Sequence, residues 1–296
     1  MLTVTIEEAV HGAPEMHFHA GGQGFWMARM IKLLGTEVVL CAPCGGESGV
    51  VLRTLVESSG VEFKATVSAA SNGAYVHDRR SGVRVEVAES PAGRLTRHEM
   101  DELYGESLIT ALDAGTIVLT GSPIAEVIAP QLYSRLVGDL NRAGVRIIAD
   151  LSGEALAAAL SGEIELLKLS HHELLAGGYA ESSRREHLVR GMETVHGLGA
   201  RNVLVSRAAD PALALLKGRL LEVSAPPMEA VDHRGTGDSM TAAAAVGLAG
   251  GATLEEAVRL GAAAGALNAT RHGLATGPRV QIEALAHHVR VSEVDR

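Results

Sequence analysis

The feature that most limits how this chain can fold is an alternation. Short apolar runs rich in β-branched residues recur along it, and most are followed by a stretch of helical periodicity. "TVTI" (3–6), "EVVLCA" (37–42), "GTIVLTG" (115–121), "VRIIADL" (145–151), "IELLKLS" (164–170) and "NVLVSR" (202–207) read as strands. Helical patterns cover 24–34, 47–59, 126–143, 153–160, 183–198, 236–249 and 254–271. Strands that are apolar on both faces need cover on both faces. The alternation therefore predicts a mainly parallel sheet between two helical layers, a three-layer α/β/α fold. With no repeat or linker, residues 1–296 read as a single domain.

One region breaks the rhythm. Residues 61–89 read as strands without a helix between them ("VEFKATVS", "GAYVHDR", "GVRVEVAE"), with "DRRSG" as a hairpin turn. This predicts a small antiparallel β lid or flap over about 61–89.

The core has to be built from aliphatic residues, because the chain holds only three Phe, one Trp and four Tyr. A net charge of −9 gives no general attraction to nucleic acid or to an anionic membrane, so neither is an expected partner. An anionic ligand must then be held by local groups. No apolar run is long enough to span a bilayer, and "MLTVTIEEAV" lacks the basic start of a signal peptide, so the expected compartment is the cytoplasm. Cys41 and Cys44 form a lone C-x-x-C at a strand end, which reads as packing thiols rather than a zinc or redox site.

The stretch with the most chemistry is "DHRGTGDSM" (232–240). In a doubly wound sheet, ligands bind beyond the carboxyl ends of strands, where loops enter helices. Gly235, Thr236 and Gly237 leave the backbone bare at a helix start, where unpaired N–H groups and the helix dipole make a seat for an anion. Asp238 lies in the first turn, where it can accept a proton from a hydroxyl attacking a phosphoryl group. It can equally be a carboxylate that answers the dipole, and the string alone leaves both readings open.

Four more segments accompany it in order: "HAGGQGFWMARMIKLLG" (19–35), "VLTGSPIAE" (118–126), "IIADLSGEAL" (147–156) and "LLKLSHHELL" (166–175). With "VDHRGTGDSM" they resemble the signatures of the PfkB family of carbohydrate kinases, which has the ribokinase-like fold. The closest likeness is to the branch of 1-phosphofructokinase and tagatose-6-phosphate kinase. The resemblance implies transfer of phosphate from ATP, with Mg²⁺, to a hydroxyl of a sugar or sugar phosphate. It implies Asp238 as catalytic base, with Gly235, Thr236 and Gly237 as the anion hole. On the substrate side it implies Gly21, Gly22 and Gly24, with Lys168 as a cation for phosphate. Ser206 and Asn268 are implied near the nucleotide, and Glu173 as the residue that organises the water shell of Mg²⁺. A homodimer is an open expectation, because in this family the lid often forms the dimer.

Several positions depart from the pattern. Gln23 stands for a Lys and Trp26 for an Asn on the acceptor side, Ser170 for the Asn of Asn-x-x-Glu, and Thr236 for an Ala. Glu7, Glu8 and His11 stand around the point where the family's first strand ends in a carboxylate, and no glycine pair follows "VLVS". Arg79, Arg80 and Arg84 form a basic cluster on the expected hairpin. His17 and His19 share one face of a strand, while His171 and His172 have no identifiable partner ligand. Two functions follow: a working kinase, whose substrate extends to non-standard acceptors such as a nucleoside, or a diverged binder of nucleotide or sugar without efficient turnover. A dehydrogenase is disfavoured, since no G-x-G-x-x-G follows the first strand.

Overall fold

A computed structural model describes residues 1–9, 12–121 and 127–295. The chain opens with β1 (Leu2–Glu8), β2 (Pro14–Ala20) and α1 (Gln23–Leu33), followed by β3 (Val39–Gly45), α2 (Gly46–Ser58) and β4 (Glu62–Ser68). Next come β5 (Ala74–Asp78), β6 (Val85–Ser90), α3 (Arg97–Ala114), β7 (Thr116–Thr120), α4 (Pro130–Arg142), β8 (Arg146–Asp150) and α5 (Gly153–Ala159). Then follow β9 (Leu166–Ser170), α6 (His171–Ala176), α7 (Arg185–Leu198), β10 (Val203–Arg207), β11 (Asp210–Leu216) and β12 (Arg219–Ser224). Helices α8 (Thr236–Ala249), α9 (Leu254–Ala269) and α10 (Arg279–Ala286) precede a final strand, β13 (Arg290–Glu293).

Seven strands form the main sheet in the order β13-β12-β11-β10-β9-β8-β7. From β7 to β10 neighbours run parallel, and from β10 to β13 they run antiparallel. Side chains alternate between two cores along these strands, as pleating requires. Ile147, Leu167, Val203 and Val205 face one core with α4 and α7, whereas Ile148, Leu166 and Leu204 face the other with α8 and α9. The expected α/β/α layering is therefore present.

The lid differs from the expectation in where its strands come from. It is a four-stranded sheet in the order β2-β1-β5-β6, antiparallel except between β1 and β5. Of the 61–89 segment only β5 and β6 belong to it, because β4 pairs in parallel with β3 as a separate two-stranded sheet. "TVTI" goes to the lid as well. The buried hydroxyl of Thr5 bonds His77 Nε2 at 3.1 Å, a polar cross-strand contact that suits a lid better than an aliphatic core. Of the helix expected at 126–143, residue 126 lies outside the described residues, 127–129 are not helical, and α4 covers 130–142.

Helices α8 and α9 pack unusually closely, because α8 is rich in alanine and α9 offers glycine at the crossing. A Cβ at Gly261 would lie 2.7 Å from Met240 O, and one at Gly265 would lie 3.0 Å from Thr236 O. Among the described residues no helix is long and apolar enough to cross a membrane.

Candidate active site

Gly235 caps α8 in the left-handed conformation, with φ 68° and ψ 2°, a geometry that glycine adopts without strain. This turns the chain so that the first helical turn presents its free N–H groups, with Asp238 in that turn. Thr236 Oγ1, in the same turn, is buried with no partner. Asn268, fully buried on α9, holds the entry loop: its Nδ2 donates to Arg234 O at 2.8 Å and its Oδ1 accepts from Ala275 N at 2.9 Å. Its amide is thus committed to backbone on both sides. Arg234 itself bonds back to Asp232 through its backbone and its guanidinium.

Beneath Asp238 lies a buried charge array. Lys168 Nζ on β9 sits 3.1 Å from Asp150 Oδ2 on β8, both nearly inaccessible to solvent. Thr241 of α8 donates to the same Asp150 oxygen at 2.7 Å, and Asp150 Oδ1 has no partner. Burial by itself would lower the Lys168 pKa, but Asp150, Glu173 and Asp238 together raise it above the ordinary lysine value. Lys168 is therefore a fixed cation. Asp238 responds in the opposite sense. Burial, followed by the Asp150 charge, raises its pKa to about 7, although Lys168 and a hydrogen bond from Gln23 pull it down.

Gln23 is the link to the acceptor side. Its Oε1 accepts from Gly121 N at 3.2 Å, and its side chain is close enough to Asp238 to lower that carboxyl's pKa. Gly22, with φ 105°, caps α1 and sets this turn, and a Cβ at Gly21 would approach Thr3 Oγ1 to 3.1 Å. Trp26 lies one helical turn on. It is half-buried between the core under α8 and the smaller core beneath the lid, stacked obliquely on Phe25 at 5.6 Å, so space-filling accounts for its position.

Glu173 caps α6 reciprocally with Ser170: its Oε2 accepts from Ser170 N at 2.6 Å and from Ser170 Oγ at 2.8 Å. It remains close enough to influence both Lys168 and Asp238. Ser206, one residue before the end of β10, pairs with Ser170, and its carbonyl meets His171 Nδ1 at 3.3 Å. The glycine-free turn after it puts Ala208 at φ 54°. The basic cluster does not converge on this cleft. Arg79 pairs with Glu7 at 3.8 Å, Arg80 with Asp78 at 2.6 Å, and Arg84 lies 4.9 Å over the Tyr75 ring, all on the lid. "SPIAE" and His11 lie outside the described residues.

The geometry brings Gln23, Lys168, Gly237 and Asp238 together around one helix N-terminus, and adds Asp150, which the sequence motif contains but does not single out. The family model for pfkB family carbohydrate kinases matches residues 2–280. The chain belongs to the pfkB family of carbohydrate kinases. The ATP-dependent 6-phosphofructokinase isozyme 2 of Escherichia coli is 31% identical over 261 residues, covering 86% of this chain and 83% of that protein. The 1-phosphofructokinase of Bacillus subtilis is 28% identical over 268 residues, covering 89% and 86%. The crystal structure of Escherichia coli phosphofructokinase-2 in complex with potassium superposes with a TM-score of 0.86 at 27% identity, covering 97% of this chain and 95% of that one. An Arabidopsis thaliana ribokinase, at 21% identity and a TM-score of 0.71, shares the fold. The ribokinase-like architecture of this pfkB protein is thus shared with sugar kinases of two kinds.

Proposed function

We propose that this pfkB-family kinase transfers the γ-phosphoryl group of ATP to a hydroxyl of a phosphorylated ketohexose, with Asp238 as the base. The observation that carries this reading is a half-buried carboxylate set in the first turn of a helix whose left-handed glycine cap exposes its N–H groups, where desolvation and the Asp150 charge push its pKa up to about 7. A base poised near neutrality takes a proton from an alcohol effectively, and the nearby N–H dipoles favour charge on a transferred phosphoryl group.

In the proposed step the acceptor O–H gives its proton to Asp238 while its oxygen bonds to the γ-phosphorus. The bond from that phosphorus to the β-phosphate bridging oxygen breaks, and ADP leaves with the electron pair. Gly235, Thr236 and Gly237 present N–H groups to the transferred phosphoryl, and Lys168 fixes positive charge below it. Gly21, Gly22, Gln23 and Gly24 line the acceptor side, with Trp26 behind them. Ser206 lies on the nucleotide side, and Asn268 shapes the loop there. Mg²⁺ would be held mostly by phosphate and water, with Glu173 organising its water shell. When bound, the ion neutralises phosphate charge.

A second reading, a binder without efficient turnover, draws on the departures at Gln23 and Trp26, on the side where the acceptor must arrive. ADP release in the presence of Mg-ATP and fructose 6-phosphate, fructose 1-phosphate, tagatose 6-phosphate or a nucleoside separates the two. Asp238→Asn serves as the control, with an expected loss of about 10²–10⁴-fold. Release no faster than this control for every acceptor would sink the kinase reading in favour of the binder.

A further inference from the structure

The β layer contains a gap. Strand β7 ends the main sheet, while β3 has one neighbour, β4, in a sheet of its own. Between β3 and β7 lies a cavity of about 620 Å³, walled by Val38–Cys41 on one side and Thr116–Thr120 on the other. Helices cover both faces of it, with Met27 of α1 and Ala245 of α8 above and Leu103 of α3 and Leu136 of α4 below. Despite this cover Ile117, Val118, Val39 and Leu40 are only half-buried, whereas Ile148 and Leu166 in the same layer are fully buried.

The two walls point the same way. A Cβ on Gly24 would lie 3.3 Å from Thr120 Oγ1 and 3.4 Å from Leu40 Cδ1, so the last residue of β7 and the second residue of β3 meet at one point. The opposite mouth is acidic: Glu37, Glu62 and Asp113 line it without forming an ion pair, while Lys64 is matched by Glu106 at 3.9 Å.

We propose that this slot receives one more parallel β-strand, an extended apolar peptide segment from outside residues 1–296 with a basic residue at its N-terminal end. Both long walls are strand edges, whose N–H and C=O groups call for a backbone partner along their length. A small apolar ligand leaves those groups unmatched. A helix, about 10–12 Å across, is too thick for a layer one sheet deep. Helices on both faces require apolar side chains on both faces of the guest. The length follows from β7, which has five residues. A parallel guest starts at the acidic mouth, where a Lys or Arg meets complementary charge. Its carboxyl end emerges at Gly24, next to Gln23, so the guest strand also becomes a wall of the acceptor site.

The test uses the full chain and the synthetic peptide acetyl-Lys-Val-Ile-Val-Val-Thr-amide, labelled for fluorescence anisotropy. The expected result is saturable one-to-one binding, with hydrogen-exchange protection gained at the amides of 117–120 and 39–41. At a hundredfold excess over Kd, Tm should rise by about 5 °C. A peptide with Pro at its centre, or with Glu for Lys, should bind at least about tenfold more weakly. Val246→Trp, which fills the slot from α8, should abolish binding. If that variant does not fold, exchange measured on the unmodified protein decides alone. Equal binding of the Pro peptide, no binding of the Lys peptide, or no new protection at β3 and β7 would overturn the proposal. So would amides of both strands already protected in the free chain, either through β3–β7 closure or, if sedimentation finds a dimer, through a second copy.

Discussion

Lys168 Nζ lies where a side chain at Gly237 would begin: a Cβ built on that glycine would sit 2.3 Å from the nitrogen. Gly237, the second glycine of the proposed anion hole, therefore leaves the room that lets the cation rise to the helix N-terminus.

The first prediction tests that relationship. Gly237→Ala should push Lys168 off Asp150 and away from the phosphoryl seat. Misplacement on the scale of 1 Å costs about 10²-fold in rate, and kcat should fall by roughly that amount. Stopped-flow ADP release on a variant whose circular dichroism is unchanged makes the measurement.

A second prediction concerns pH. With its pKa raised to about 7, Asp238 is protonated on the acid side, so kcat/KM should fall about tenfold per pH unit below neutrality. For stability the sign runs the other way. The folded pKa exceeds the unfolded value near 3.8, so the protonated carboxyl supports the fold fully below that value. This support is lost as pH rises through 7. Asp238→Asn should therefore be more stable than the parent at pH 8, on the order of 2–4 kcal/mol, while inactive. Parallel denaturant titrations at pH 5 and pH 8 should show the difference growing with pH.

Asp150 separates structure from tuning. Asp150→Asn leaves Lys168 buried without its counter-charge, which should destabilise the fold by about 3–5 kcal/mol. It also removes one of the charges holding the Asp238 pKa up, so the acid limb of the rate profile should move to lower pH. A destabilised variant with an unmoved limb would contradict the coupling.

Ala208 holds φ 54° in the turn after β10, a conformation that costs an alanine about 1–2 kcal/mol relative to glycine. Ala208→Gly should raise stability by about 1 kcal/mol, less the extra entropy of the unfolded chain. Because this turn lies on the proposed nucleotide side, KM for ATP is the second quantity to follow. An unchanged Tm would mean that the turn relaxes in solution.

The layered fold was legible because β8, β9 and β10 are apolar on both faces, and periodicity records that directly. Helix α3 was not, since charged residues such as Asp101 and Glu102 interrupt any apolar stripe, although the Thr96–Glu99 capping box marks its start. Neither the lid pairing of β1 nor the partnership of β3 with β4 has a sequence signal, because strand partners are chosen in three dimensions. In the site, contiguous strings placed Asp238 and its glycines in one turn. The Asp150–Lys168 pair has no signal in the sequence, because it exists only through the pairing of Ala149 with Leu167 on neighbouring strands. Gln23 reads in the sequence only as a missing cation, whereas its influence on Asp238 depends on how α1 approaches α8.

The close crossing of α8 and α9 carries its own consequence. With Thr236 O 3.0 Å from where a Gly265 side chain would start, the depth of the proposed phosphoryl seat is set by a helix that contributes no reacting group. A methyl group added at Gly265 would act as a shim under the first turn of α8, lifting the proposed anion hole relative to β9. Drift in this enzyme's activity can therefore begin on the buried side of α9, at residues that no substrate touches.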